Sequence, residues 1–162
     1  MNETINKIEI IKSNIQHIDN IIPLFLRLNQ YHYDNIDDYY KEYTRKKVTK
    51  LIRRAIENNK RDIYIAKKGR DVVGLVEIQF KTIEDNIELL DKEYIEINSL
   101  VVDSDYRSEG VGTKLLNFVD GLAVEYEKEY VELKVFDFND SAITFYEKNG
   151  FKPFACYYRK YK

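Results

Sequence analysis

The sequence predicts one α/β (α+β) domain, a central mixed sheet with helices laid against it, and three observations carry that prediction. Strand-like runs rich in β-branched and aromatic residues outnumber the segments of helical spacing and interleave with them, so the helices must cover a sheet rather than pack only on one another. The chain has 162 residues, 44% of them apolar and 33% charged. A domain of that length buries roughly 70% of its unfolded surface, enough for a core without disulfides or a structural metal. No Pro/Gly/Ser-rich linker, low-complexity tract or solenoid-period repeat interrupts the sequence, so one domain is expected over 1–162.

Lys7 to Lys12 (K-I-E-I-I-K) reads as a strand. Ile18, Ile21, Ile22, Phe25, Leu26 and Leu28 then recur at helical spacing, with Asp19 or Asn20 available as a cap and Pro23 expected in or near the first turn. A second helix is expected from about Asp38 to Asn58, because Val48, Leu51, Ile52, Ala55 and Ile56 share one stripe; Asn58-Asn59 would end it. Asp62 to Lys67 and Val72 to Lys81 flank Gly69-Arg70-Asp71 as a hairpin, with a bulge expected at Gly74. Tyr94 to Val102 is a further strand. It is followed by a Gly-containing turn and a helix that places Val111, Leu115, Val119 and Leu122 on one face. Gly121 inside that helix costs roughly 1 kcal/mol relative to Ala, and close packing against the sheet is the expected compensation. A strand at Val131 to Val135, a helix from about Ser141 to Lys148 closed by Asn149-Gly150, and a last strand from Phe154 to Tyr161 complete the order.

Composition narrows the chemistry. One cysteine and two histidines cannot supply a Cys/His zinc site, a lone cysteine closes no internal disulfide, and no metal is expected. Cys156, between Ala155 and Tyr157 in the last strand, is expected to be a buried, inert thiol, which argues against a covalent acyl-cysteine route. A net charge of −2 argues against a nucleic-acid coat. The basic run Arg45 to Arg54, which could touch an acidic partner, reads as the solvated face of an amphipathic helix. The N-terminal M-N-E-T-I-N-K has no basic region leading into an apolar core, and the apolar run Ile21 to Leu26 is broken by Pro23. Neither a signal peptide nor a membrane span is expected, and a cytoplasmic location is the default.

Leu100 to Gly112 reads L-V-V-D-S-D-Y-R-S-E-G-V-G, an apolar strand, a turn, and two glycines opening an amphipathic helix. Amides of the first helical turn have no intrahelical partner and the helix dipole adds about half a positive charge there, so a diphosphate fits if side chains stay clear. Gly110 and Gly112 would let the backbone come close, and Arg107 adds a cation. Taken alone, G-x-G is weak evidence of a ligand and is better explained by the conformational needs of a tight turn. A Walker loop would need Gly-Lys-Ser/Thr where Gly112-Thr113-Lys114 stands, and a dinucleotide fingerprint would need glycine at Leu115.

The strand ending L-x-V, the R-x-x-G-x-G loop and the later N-D-S-A-I-T-F-Y-E-K-N-G-F from Asn139 to Phe151 together resemble the GNAT superfamily of acetyl-CoA-dependent N-acyltransferases. The matching motifs cover about a third of the chain. The sequence departs from the family at Ser104, where Pro is frequent, and near Glu129, where Gly is, and both read as loop variation. The resemblance implies a GNAT fold with a mostly antiparallel sheet. It also implies direct transfer of acetyl from acetyl-CoA to an amine in a ternary complex, and residues Arg107, Ser108, Glu109, Gly110, Val111, Gly112 and Thr113 around the pyrophosphate. A backbone amide of Leu100, Val101 or Val102 would polarise the thioester, because this family leaves part of that strand unpaired.

The remaining roles weigh resemblance against plainer readings. An amine with a pKa near 10.4 is mostly protonated at neutral pH, and freeing it costs about 4.6 kcal/mol, so a base is needed. Resemblance puts it at Glu96, directly or through water; the plainer reading is an exposed glutamate at a strand start. Regular alternation would put Glu96, Asn98 and Leu100 on one face and Ile97, Ser99 and Val101 on the other. Tyr146 matches the family's tyrosine that protonates the departing thiolate, and could otherwise be helix packing; Phe145 reads as core. Asn139 resembles the residue that binds the pantetheine arm, and is also a favoured N-cap.

Glu84, Asp85, Glu88, Asp91 and Glu93 lie where the family receives its acceptor and favour a cationic amine, although charge in a loop is usually solvation. Tyr31, His32, Tyr33, Tyr39 and Tyr40 are expected on the other wall of that pocket, with packing as the alternative. The expected acceptor is a small cationic metabolite or antibiotic. The rival readings are a protein or peptide N-acetyltransferase and a silent acyl-CoA sensor. Such families are often homodimeric, and neither a membrane nor a nucleic-acid partner is expected.

Overall fold

β-Branched runs separated by turns fold into a five-stranded sheet in the order β1-β2-β3-β4-β5. The computed structural model describes residues 7–58 and 61–162. The strands are β1 (Ile8–Lys12), β2 (Asp62–Lys68), β3 (Asp71–Ile83), β4 (Lys92–Val102) and β5 (Tyr130–Leu133), and the helices are α1 (Ile18–Asn35), α2 (Arg45–Asn58), α3 (Val111–Glu125) and α4 (Asp140–Lys148). Neighbouring strands run antiparallel except β4 and β5, which are parallel, so the sheet is mixed and mostly antiparallel as expected. The N-terminal residues 1–6 and the expected helix stop at Asn59 lie outside the described residues.

Each face carries its own core. Ile21, Ile22, Phe25, Val48 and Ile52 of α1 and α2 pack on Ile63, Ile65, Leu75 and Val101. On the other side Val111, Leu115, Leu116 and Val119 of α3 pack on Ala66, Val76, Ile78, Ile95 and Ile97. Gly74 lets the layers approach, since a Cβ there would lie 3.0 Å from the Val101 carbonyl oxygen and 3.2 Å from Val111 Cγ1. The expected bulge is adjacent rather than at Gly74: Ala66 pairs Gly74 while Lys67 pairs Val72, leaving Val73 as the extra residue.

Several expectations are corrected. A 3-10 turn at Ile15–His17 precedes α1, and its cap is Asn14, whose side chain accepts from Gln16 N while His17 accepts from Asn14 N. Asp19 and Asn20 therefore lie inside the helix, and Pro23 sits beyond its first turn. α2 begins only at Arg45, because buried Asn29 of α1 binds Lys41 O (3.2 Å) and Tyr43 N (2.8 Å) and so holds the preceding residues out of helical geometry. Gly121 faces open space, with nothing near the position of a Cβ, so no close packing offsets its cost.

The expected last strand, Phe154 to Tyr161, makes no ladder; it is an exposed segment without regular structure. Alternation explains this: Ala155, Tyr157, Arg159 and Tyr161 on one side and Phe154, Cys156, Tyr158 and Lys160 on the other give neither side a clean apolar stripe. Cys156 is accordingly exposed, not buried. Among the described residues no helix is long and apolar enough to cross a membrane, and no cluster of His, Cys, Asp and Glu could hold a metal ion.

Candidate active site

The central feature is an irregularity in β4. Glu77 pairs Ser99 while Ile78 pairs Ile97, so Asn98 is an extra residue in the strand. A bulge shifts side-chain parity. Before it, Ile95 and Ile97 join the α3 core; after it, Leu100 and Val102 do, and Val101 joins the α1/α2 core. The regular alternation expected across this strand is therefore wrong: Glu96 shares its face with Ser99 and Val101, not with Leu100. At the same place β5 departs, since its ladder with β4 ends at Ile97–Leu133. Among the described residues the β4 edge from Asn98 to Val102 thus has no ladder partner on that side, which leaves the peptide groups that point away from β3 for a ligand.

The chain then turns into α3. Asp103 caps a 3-10 turn at Ser104–Tyr106 and accepts from Arg27 at 2.8 Å, a bond that holds its carboxyl below the usual carboxylate range. Ser108 (φ 65) and Gly110 (φ 77) adopt left-handed backbone, and Gly110 caps α3 with no side-chain bond. The first-turn amides of Val111, Gly112 and Thr113 are left without a capping acceptor, with Lys114 N closing the first helical bond onto Gly110 O at 3.0 Å. Such a terminus takes an anion. The two glycines serve different ends: Gly110 supplies the positive φ, whereas a Cβ at Gly112 would sit 2.9 Å from Phe145 Cζ of α4. Lys68 at the end of β2, a residue sequence reasoning missed, pairs with Glu109 of the loop at 2.7 Å and lies 5.5 Å from the Tyr106 ring centre.

α4 comes beside this loop through that Phe145 contact. Tyr146 packs on Phe145 and Phe151, at 5.4 and 5.8 Å between ring centres, and burial pushes its phenol up to about 12. Asn139 is the N-cap of α4: its Oδ1 accepts from Ala142 N (3.2 Å), Ser141 Oγ (3.2 Å) and the Tyr31 hydroxyl (3.3 Å). The last bond ties α4 to α1.

On the α1/α2 face the open half of the sheet carries polar groups. Glu96 pairs with Lys81 at 3.4 Å and is opposite Gln79 on one side and Glu132 of β5 on the other. Glu77, which sequence reasoning missed, is 2% exposed. It accepts from Arg61 at 3.3 Å and from Ser99 Oγ at 3.0 Å. A signal existed: it is the one charged residue in the apolar run from Val72 to Phe80.

Tyr31, His32, Tyr39 and Tyr40 do gather into a wall, completed by Phe136 and Phe138 from the segment after β5. His32 stacks on Tyr40 at 4.9 Å and meets Phe136 edge-on at 5.7 Å, and Phe136 stacks on Phe138 at 5.8 Å. Burial lowers the His32 pKa. Tyr33 takes no part in these ring contacts among the described residues. The wall already holds one cation, the Arg159 guanidinium, 4.9 Å from the Tyr39 ring centre. The acidic stretch precedes the Glu96 strand as expected: Glu84, Asp85, Glu88 and Asp91 fall in the β3–β4 connection, while Glu93, already within β4, pairs with Lys128 at 2.5 Å.

Comparison with known proteins agrees with this geometry. The family described as "Acetyltransferase (GNAT) family" matches residues 28–151. An uncharacterised N-acetyltransferase of Methanocaldococcus jannaschii is 34% identical over 140 residues, which are 83% of this chain and 56% of that protein, so the chain spans little more than half of its relative. A crystal structure of a mutant BH1408 protein from Bacillus halodurans superposes with a TM-score of 0.85 at 18% identity, covering 95% of this chain and 97% of that one. The crystal structure of a possible acetyltransferase from Clostridium difficile 630 does so with a TM-score of 0.75 at 20% identity, covering 96% and 95%.

Proposed function

From the premise that this chain belongs to the GNAT family of acetyltransferases, we propose that it moves acetyl from acetyl-CoA directly to a primary amine, a small cationic molecule, in a ternary complex. One observation carries the reading: the open β4 edge from Asn98 to Val102 leads straight into the uncapped N-terminus of α3. A thioester arm and its diphosphate need those two features end to end.

In this reading the amides of residues 107–113, with Arg107, hold the diphosphate. A peptide N–H of Leu100, Val101 or Val102 polarises the thioester carbonyl, where a preorganised donor favours the oxyanion over the ground state. Asn139 keeps its capping role on Oδ1 and donates its amide N–H to the pantetheine arm. Glu96 removes the amine proton, directly or through water, and Tyr146 offers its hydroxyl to the departing sulfur. The cation preference rests on the aromatic wall and on Glu96 and Glu132, which lie on its side of the sheet.

Calorimetry of the pure chain with coenzyme A tests binding, and thiol release from acetyl-CoA with polyamines, aminoglycosides, amino acids and peptides tests transfer. Heat with coenzyme A together with thiol release on one amine class is expected. No heat at millimolar coenzyme A overturns the reading, and binding without release on any amine makes the chain an acyl-CoA sensor.

A further inference from the structure

Glu77 has no task in the reaction as proposed. Glutamate is seldom fully buried without a partner, yet Glu77 is 2% exposed in the middle of β3. Its two oxygens are engaged separately, Oε1 by Arg61 at 3.3 Å and Oε2 by Ser99 Oγ at 3.0 Å. Ser99 stands directly opposite Glu77, one residue past the extra Asn98, where the β4–β5 ladder has just ended at Ile97. It faces the same side of the sheet as Glu96.

A hydroxyl has one proton to give. With that proton committed to Glu77, Ser99 Oγ offers only lone pairs to whatever enters beside the open edge, and lone pairs call for a donor. We propose that Ser99 Oγ accepts a hydrogen bond from an N–H of the acceptor amine, and that Glu77 is the positioning residue that fixes the polarity of that hydroxyl. The pair sets the nitrogen beside the peptide edge where the thioester is proposed to lie. No bond is made or broken at either residue, and removal of the amine proton stays with Glu96. The inference rests on the N-acetyltransferase reading and adds to it the group that orients the acceptor.

The isosteric change Glu77→Gln is diagnostic. Arg61 can only donate, so the new amide must turn its oxygen to Arg61 and its NH2 to Ser99. Ser99 Oγ then accepts from the amide and aims its own proton outward, at the amine's N–H.

The test uses the full chain, coenzyme A, acetyl-CoA and the best primary amine of the panel above. Ser99→Ala and Glu77→Gln should each raise KM for the amine roughly 10- to 100-fold, the worth of one hydrogen bond to a charged group. Ser99→Thr, which keeps the hydroxyl, should stay within about threefold. Coenzyme A affinity should hold within about twofold in all three, while the extra thermal stabilisation given by the amine on top of coenzyme A should vanish in Ser99→Ala. Because Glu77 acts through Ser99, the double variant should be no worse than Ser99→Ala alone.

An unchanged amine KM in Ser99→Ala, or losses that multiply in the double variant, would overturn the inference. Should Glu77→Gln fail to fold, the Ser99→Ala and Ser99→Thr pair decides. A native chain that binds coenzyme A but acetylates no amine brings down the N-acetyltransferase reading, and this inference with it.

Discussion

At Tyr146 the local environment decides how the phenol could serve the departing sulfur in the proposed reaction. Burial among Phe145 and Phe151 pushes its pKa up to about 12, so the proton stays on oxygen at any physiological pH. Complete transfer to a thiolate of pKa near 8.5 is uphill by roughly 3.5 units, about 5 kcal/mol. In the proposed reaction the hydroxyl would therefore act chiefly as a hydrogen-bond donor while the C–S bond lengthens, with water completing the protonation. Tyr146→Phe should lower turnover roughly 100-fold while calorimetry shows coenzyme A affinity unchanged; affinity falling in step with turnover would make Tyr146 a packing residue. The glycines of the loop were legible as glycines but not in their reasons. Gly110 is needed for a φ of 77, whereas Gly112 is needed because Phe145, far along the sequence, lies where its Cβ would be. Gly112→Val should push α4 away and weaken coenzyme A binding at least tenfold by the same titration, a cost of about 1.4 kcal/mol or more; binding within about twofold of the native chain would show that Phe145 yields freely.

Helices and strands show where local pattern stops informing. The apolar stripe of α3 was readable because Val111, Leu115, Val119 and Leu122 repeat at helical spacing, and all four are buried. The solvent side of the same helix has no such code, so the environment of Gly121 could not be read from it. With nothing around the Cβ position, Gly121→Ala should raise stability by about 1 kcal/mol in urea unfolding, through helix propensity alone; a loss would mean that the position is not open. The Asn98 bulge was equally hidden, because strand patterns assume strict alternation, and so the faces of Glu96 and Ser99 were misassigned across it. The Lys68–Glu109 bridge joins two elements that sequence keeps apart, and it places a carboxylate in the proposed anion cradle with its countercharge alongside. Lys68→Ala should therefore weaken coenzyme A binding several-fold, Glu109→Gln should strengthen it, and the double variant should return near the native value. Binding that ignores both charges would remove them from the cradle.

Taken whole, the molecule is a sheet covered unequally. Its α1/α2 face is sealed over Ile63, Ile65, Leu75 and Val101, the same face bears Glu77, Glu96 and Ser99 beyond that core, and an exposed C-terminal segment meets the aromatic wall. Tyr161 of that segment donates to Asp38 at 2.5 Å, and its Arg159 lies over Tyr39. The half-buried phenols beneath the α3 face give the domain an alkaline limit. Tyr64 and Tyr146 are both raised to about 12, chiefly by loss of solvent. An unfolded tyrosine ionises near pH 10, so between about pH 10 and 12 the unfolded chain releases protons that the folded chain retains. Stability is therefore intact below that window and falls as pH rises through it. Tyr146 alone accounts for about two units, or roughly 2–3 kcal/mol by the top of the range; Tyr64 is more exposed and contributes less. Urea midpoints measured from pH 9 to 12 should drop more steeply for the native chain than for Tyr146→Phe, and parallel curves would mean that the Tyr146 phenol is solvated after all.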